Sequence, residues 1–248
     1  MGFFSFIFGK KEPVLNPADL SVLHTDVHSH LIPGIDDGSK SLEDSMDMLK
    51  LFVELGYKKV ITTPHIMSDF YKNSAETIMP GLDLVRAEIK KENLPIEIEA
   101  AAEYQLEPEF EEKLEKETLL TFGDNYLLFE LPFFSEPPSL SRAVFQMQAK
   151  GYKPVLAHVE RYTFWHGNTE KVEELFDRGV ILQLNINSLS GSYGPEVKKM
   201  AELCVDKGWI RLLGSDCHRT DHLTLLNETR KKSYLHKALK LDLLNNKL

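Results

Sequence analysis

Apolar positions along the chain switch repeatedly between two spacings. In "SLEDSMDMLKLFVELG", residues 41–56, Leu42, Met46, Leu49 and Val53 recur at helical intervals, Ser41 and Asp44 form a capping pair, and Gly56 ends the run. The apolar segment "YKKVITTPH" follows at once and finishes in polar residues. The same unit returns as "SRAVFQMQAKG" then "YKPVLAHVE", as "VEELFDRG" then "VILQLNIN", and as "EVKKMAELCVDKG" then "WIRLLGSDCH". Glycine tolerates the left-handed turn that stops a helix, so each unit reads as helix, stop, strand. "LHTDVHSH", "IEIEAAAE" and "YLLFELP" bring the number of expected strands to seven. Strands that alternate with helices pair in parallel, which makes this an α/β chain. A seven-stranded β/α barrel is the expected architecture, with an open doubly wound sheet as the alternative, because the local pattern does not show closure.

No linker or low-complexity tract divides the 248 residues. Residues 21–248 are therefore expected to form a single domain, preceded by an N-terminal arm over residues 1–20. The opening "MGFFSFIFGKKEPVLNP" places apolar residues before basic ones, the reverse of a secretory signal, and is too short to span a bilayer. Its Phe3, Phe4, Phe6, Ile7 and Phe8 read first as an arm packed against the body or a partner, and second as a weak contact with a membrane surface. The acidic run "EPEFEEKLEKE" reads as a helix with a solvated outer face.

Charge and cysteine content narrow the function classes. A formal net charge of -9 argues against an extended nucleic-acid footprint, which needs surplus Lys and Arg. Cys204 and Cys217 form no disulfide framework, in keeping with a reducing, cytoplasmic compartment. A thiol-based phosphatase needs arginine six residues beyond its cysteine; Ile210 and Leu223 occupy those places.

Polar residues collect where the strands end: His28 and His30, His65, Glu103, Glu130, His158 and Arg161, Asp216 and His218. In β/α barrels that end carries the active site. Residues i and i+2 of a strand face the same side, so His28 with His30, and Asp216 with His218, present paired donors to one ion. Acids crowded beside imidazoles need compensating charge, and divalent cations supply it. His24, His166 and His236 read as surface or packing residues, and His222 and Asp26 as supports for ligands. Which of Asp36 and Asp37 joins the cluster is open from the residues alone. Phe133 and Phe134, with Phe70 and Tyr71, read either as an apolar lip for a phenyl ring or as loop anchors.

"DVHSHLIPGIDDG", "TTPH", "AAEY", "LFELP", "AHVERY" and "GSDCH", in this order, resemble the polymerase and histidinol phosphatase (PHP) superfamily. Within it they are most similar to the CpsB/YwqE type of manganese-dependent bacterial protein-tyrosine phosphatases. The resemblance covers residues 23–218. It implies a distorted seven-stranded barrel holding three divalent ions, Mn2+ foremost, with Fe, Zn, Co or Mg as occupants of individual positions. The ligands it implies are His28, His30, Asp37, His65, Glu103, Glu130, His158, Asp216 and His218, with Glu103 as a bridge and Arg161 binding phosphate. Phe133, Phe134 and Tyr71 are the expected substrate contacts. The implied reaction is hydrolysis of phosphotyrosine by a metal-activated hydroxide. The implied substrate is the tail of a bacterial tyrosine autokinase of capsule or exopolysaccharide export, met in the cytoplasm at the inner face of the membrane. Alternatives are a small-molecule phosphoesterase, such as a histidinol-phosphate phosphatase, and a metal-stabilised regulatory module without turnover. One departure stands out: family members often carry an arginine a few residues beyond the last metal histidine, where this chain reads "HRTDHLTLL" with Arg219 as the nearest substitute.

Overall fold

The computed structural model describes residues 15–248, so the aromatic cluster Phe3, Phe4, Phe6, Ile7 and Phe8 lies outside the described residues. The expected boundary at residue 20 falls within packed structure. Leu15 N–H donates to the Lys231 carbonyl and Ala18 N–H to that of Arg230, while Ala18 and Leu20 bury their side chains.

All seven expected strand segments form, and two of them break in the middle. They are β1 (Thr25–Asp26), β2 (Lys59–Thr62) and β3 (His65–Ile66) from the second segment, β4 (Glu97–Ala100) and β5 (Glu103–Gln105) from the third, β6 (Tyr126–Glu130), β7 (Lys153–Leu156), β8 (Ile181–Asn185) and β9 (Ile210–Gly214). Pro64, which has no N–H to give a ladder, sits in the first break. Every pairing between named strands is parallel: β1-β2-β4 in one sheet and β3-β5-β6-β7-β8-β9 in the other. A parallel bridge between Ser29 and Cys217 links the segment of β1 to that of β9. Each of the seven segments thus has a paired neighbour on both sides, the arrangement of a barrel and not of an open sheet.

Helices α1 (Leu42–Glu54), α2 (Ala75–Glu92), α3 (Pro108–Lys116), α4 (Leu140–Ala149), α5 (Glu170–Asp177), α6 (Pro195–Lys207), α7 (Thr220–Thr229) and α8 (Ser233–Ala238) complete the units. The four glycines expected to stop helices, Gly56, Gly151, Gly179 and Gly208, all have positive φ. Ser41 caps α1 by accepting from Asp44 N–H, as its spacing suggested. The buried stripe of α1 differs from the expected one: Ser45, Met46, Met48, Leu49 and Phe52 face inward, and Leu42 and Val53 are only half-buried. Ser45 is drawn in because its hydroxyl bonds the Leu31 carbonyl.

The barrel interior is layered. Ile61, Ala101, Leu128, Val155 and Leu212 form an inner apolar cluster, and Leu244 and Leu248 pack against it. Ala101 and Leu128 stand two residues before Glu103 and Glu130, on the same face of their segments, so the apolar layer underlies the polar one. Asn245 clamps the β1–β9 seam: it accepts from Leu213 N–H and donates to the carbonyls of Thr25 and Leu213. Asn245→Leu leaves these backbone groups buried and unpaired, at an expected cost of about 2–4 kcal/mol. Urea unfolding should show this as a lower midpoint with an unchanged m-value. An unchanged midpoint would mean that the seam closes without the clamp.

Candidate metal centre

His65 and Glu103 open β3 and β5, directly after the two breaks, and face one another in register. Glu130 ends β6. His158 and Asp216 follow β7 and β9 with φ of 33° and 50°, the left-handed region that costs a residue with a Cβ about 1–2 kcal/mol. Such strain at two strand exits marks a site whose side-chain directions matter more than local backbone comfort.

These turns bring the expected ligands together. His28 Nε2 lies 3.1 Å from Glu103 Oε2 and 3.5 Å from Asp216 Oδ1. His65 Nδ1 is 3.2 Å from both Glu103 Oε2 and Glu130 Oε1, and His158 Nε2 is 3.0 Å from Glu103 Oε1. Asp37 Oδ1 lies 3.5 Å from His218 Nε2 and 3.6 Å from His65 Nε2. Four overlapping sets of converging donors result: His30, Asp37, His65 and His218; His28, His30 and Asp216; His28, Glu103 and His158; His65, Glu103 and Glu130. Their union is the nine residues implied by the family resemblance. Glu103, His28, His30 and His65 each belong to two sets.

The neighbouring aspartates take different places. Asp36 is held inside, its Oδ2 2.8 Å from His30 Nδ1 and accepting from His65 N–H, whereas Asp37 is half-exposed and joins the donors. Asp36 thereby orients His30 and leaves its Nε2 facing the cluster. The loop is pressed hard against this histidine: a Cβ on Gly38 would stand 2.3 Å from the His30 carbonyl oxygen.

The donor set suits divalent cations, being made of imidazoles and carboxylates. His65 Nδ1 and Glu130 Oε1 are buried and face each other without a hydrogen bond. Burial opposes charge on His28, but the carboxylates of Glu103 and Asp216 outweigh it and raise the imidazole pKa to about 10. Burial likewise opposes ionisation of Asp216, and His28, His218 and Arg161 overcome it, holding the carboxyl well below its usual range. Neighbouring carboxylates likewise raise the pKa of His30, His65 and His218 against the opposing effect of burial, and divalent cations can replace protons held in this way.

A cavity of about 310 Å3 opens over the cluster, lined in part by Arg161, Tyr71, Phe133, Tyr193, Arg219 and His222. Arg161 donates to Asp216 Oδ2 at 3.1 Å, and its guanidinium stands over the rings of Phe133 at 4.7 Å and Tyr193 at 5.0 Å. Phe133 also stacks on His158, with ring centroids 5.5 Å apart. Phe134 is 99% exposed and lies outside the cavity lining. Phe70 is also exposed, whereas Tyr71 stacks on His65 with centroids 5.5 Å apart. Arg219 is exposed at the cavity edge and paired with Asp221. His222 Nδ1 lies 3.1 Å from the Asp216 carbonyl oxygen, to which it can donate.

The Asp26 carboxylate accepts from the backbone N–H and hydroxyl of Ser215, whose hydroxyl oxygen also lies 3.1 Å from the His28 carbonyl, and so fixes the exit of β9 beside the ligands. Tyr193 was not anticipated, since a lone tyrosine in "SGSYGP" carries no pattern. Cys217, between two ligands in sequence, turns away from them to Met48 Sδ, and burial pushes its thiol well above the ordinary range.

Residues 24–238 match the family model described as capsular polysaccharide synthesis, CpsB/CapC. The tyrosine-protein phosphatase YwqE of Bacillus subtilis is 31% identical over 194 residues, 78% of this chain and 76% of the relative. CpsB of Streptococcus pneumoniae, also a tyrosine-protein phosphatase, is 29% identical over 202 residues, 79% and 83% of the two chains. A crystal structure from the work on YwqE of Bacillus subtilis and CpsB of Streptococcus pneumoniae, described as unique metal-dependent tyrosine phosphatases, superposes with a TM-score of 0.75 at 30% identity, covering 86% of this chain and 84% of the other.

Gly38→Ala should push the Asp36–Asp37 loop off His30 and weaken Mn2+ binding at least ~10-fold, the scale of lost ligand support, with helical content intact. Titration calorimetry checks this. Wild-type affinity would mean that the loop does not set the donors.

Proposed function

The chain belongs to the CpsB/CapC family, and on that footing we propose that it is a metal-dependent protein-tyrosine phosphatase. The observation that carries this reading is Arg161, held by Asp216 and two aromatic rings in a cavity that opens onto the nine-donor cluster. His28, His30, Asp37, His65, Glu103, Glu130, His158, Asp216 and His218 would hold divalent ions, three in number and Mn2+ by preference. Ions so held supply Lewis acidity toward phosphoryl oxygens and a lowered pKa for water.

The remaining work falls to the chain itself. Arg161 offers a planar fork that grips two non-bridging oxygens and stabilises their charge as the ester bond breaks. The Asp216 contact and the flanking rings restrict its rotation, so little ordering remains to be done when phosphate arrives. Tyr71 at the cavity wall supplies an apolar face for the phenyl ring of the substrate. The phenolate leaves with a conjugate-acid pKa of about 10 and needs less protonation than an alkoxide. Neither cysteine serves as nucleophile: both are buried, and burial raises both thiols. The proposed substrate is a phosphotyrosine protein, foremost the tail of a tyrosine autokinase of capsule export, met at the cytoplasmic side of the membrane. Among the described residues no helix is long and apolar enough to cross a membrane.

Three substrates separate this reading from its rivals. A phosphotyrosine peptide should exceed a phosphoserine peptide in kcat/KM by on the order of 100-fold, about 2.7 kcal/mol, and histidinol phosphate should be poor. Histidinol phosphate as the best substrate would overturn the tyrosine assignment; no turnover of any of the three with Mn2+ would favour the regulatory module. Arg161→Lys should lose at least ~10-fold in kcat/KM, about 1.4 kcal/mol, with Mn2+ content unchanged, because an ammonium cannot reproduce the fork. An unaltered rate would remove Arg161 from phosphate binding.

A further inference from the structure

Of the seven strand segments, only that of β8 contributes nothing to the nine donors, yet it carries two fully buried amides, Gln183 and Asn185. Their partners are ligands. Gln183 Oε1 accepts the His158 backbone N–H at 2.8 Å and lies 3.1 Å from His28 Nδ1. Gln183 Nε2 lies 3.0 Å from Asn185 Oδ1, and Asn185 Nδ2 lies 2.7 Å from Asp216 Oδ2.

The direction of every bond in this chain follows from one atom. The backbone N–H of His158 can only donate, so the Gln183 atom facing it must be oxygen. That oxygen offers no hydrogen to His28, whose Nδ1 must therefore carry one, leaving Nε2 with a bare lone pair toward Glu103 and Asp216 when the imidazole is neutral. The Gln183 nitrogen, a donor, faces the oxygen of Asn185, and the Asn185 nitrogen donates in turn to Asp216 Oδ2. Asp216 Oδ2 also accepts from Arg161, so Oδ1 is the oxygen left for the cluster, 3.5 Å from His28 Nε2. Space is kept for this chain: a Cβ on Gly214 would stand 2.6 Å from Gln183 Nε2 and 2.8 Å from His28 Cβ.

We propose that Gln183 and Asn185 form an amide relay that positions the ligands, fixing which nitrogen of His28 and which oxygen of Asp216 meet a divalent ion. The inference rests on the metal-centre reading above and adds to it two residues that touch neither ion nor substrate.

The test compares Mn2+ affinity by titration calorimetry in the full-length wild type, Gln183→Leu and Gln183→Glu, with thermal unfolding as the fold control. Leucine keeps the volume and deletes the relay; glutamate keeps an acceptor for His28 Nδ1–H and His158 N–H. Expected are a ~10–100-fold loss of affinity for Q183L and substantial rescue in Q183E. In Zn2+-loaded protein with 15N-labelled histidine, the wild type should show a slowly exchanging proton on His28 Nδ1, and Q183L should lose it. Should Q183L prove unable to fold, Q183E without the Nδ1 proton overturns the relay, and Q183E with it upholds the relay. Wild-type affinity and an unchanged Nδ1 signal in a folded Q183L overturn the relay alone. A wild type that takes up no divalent ion overturns the metal centre and the relay with it.

Discussion

Everything in this fold answers to the crowding of five imidazoles and four carboxylates, all but Asp37 largely buried, in one barrel mouth. Unpaired charge there would cost several kcal/mol per group, and neighbouring carboxylates offset that cost by raising the pKa of His28, His30, His65 and His218. The same arrangement makes the mouth a receptor for divalent cations, which satisfy all the carboxylates at once. Glu103 is central: fully buried, it contacts His28, His30, His65 and His158.

The barrel delivers these groups by repetition. Each helix, glycine and strand unit ends at the same rim, so residues scattered from 28 to 218 converge there, and the loop between β1 and α1 adds Asp37. Where repetition alone would misdirect a side chain, the backbone departs from it. Two strands break just before His65 and Glu103, and His158 and Asp216 take left-handed turns. Below, the apolar layer with Leu244, Leu248 and the Asn245 clamp gives the ligand layer a rigid base.

Much of this was legible in the sequence. Helix stops at Gly56, Gly151, Gly179 and Gly208 were readable because glycine has a specific reason to stand there, and the ligands because imidazole and carboxylate are rarely repeated at strand ends without chemistry. The strand breaks were not legible, since "TTPH" and "EAAAE" continue the apolar pattern across them. Nor were the facing directions: Phe133 lines the cavity with its ring also against Arg161 and His158, and Asp26 reaches the ligands by way of Ser215. Gln183 and Asn185 left a faint trace. In "VILQLNIN" the polar residues fall at i and i+2, which marks an inward face carrying amides where apolar side chains would be the default.

The central claim is that the nine converging donors hold divalent ions together. Anomalous diffraction from Mn2+-soaked crystals, recorded on both sides of the manganese absorption edge, tests it most directly. The account predicts strong peaks confined to the cluster, the first bounded by His28, Glu103 and His158 and others shared with His30, His65 and Asp216. Peaks at surface carboxylates with none among these residues would contradict it.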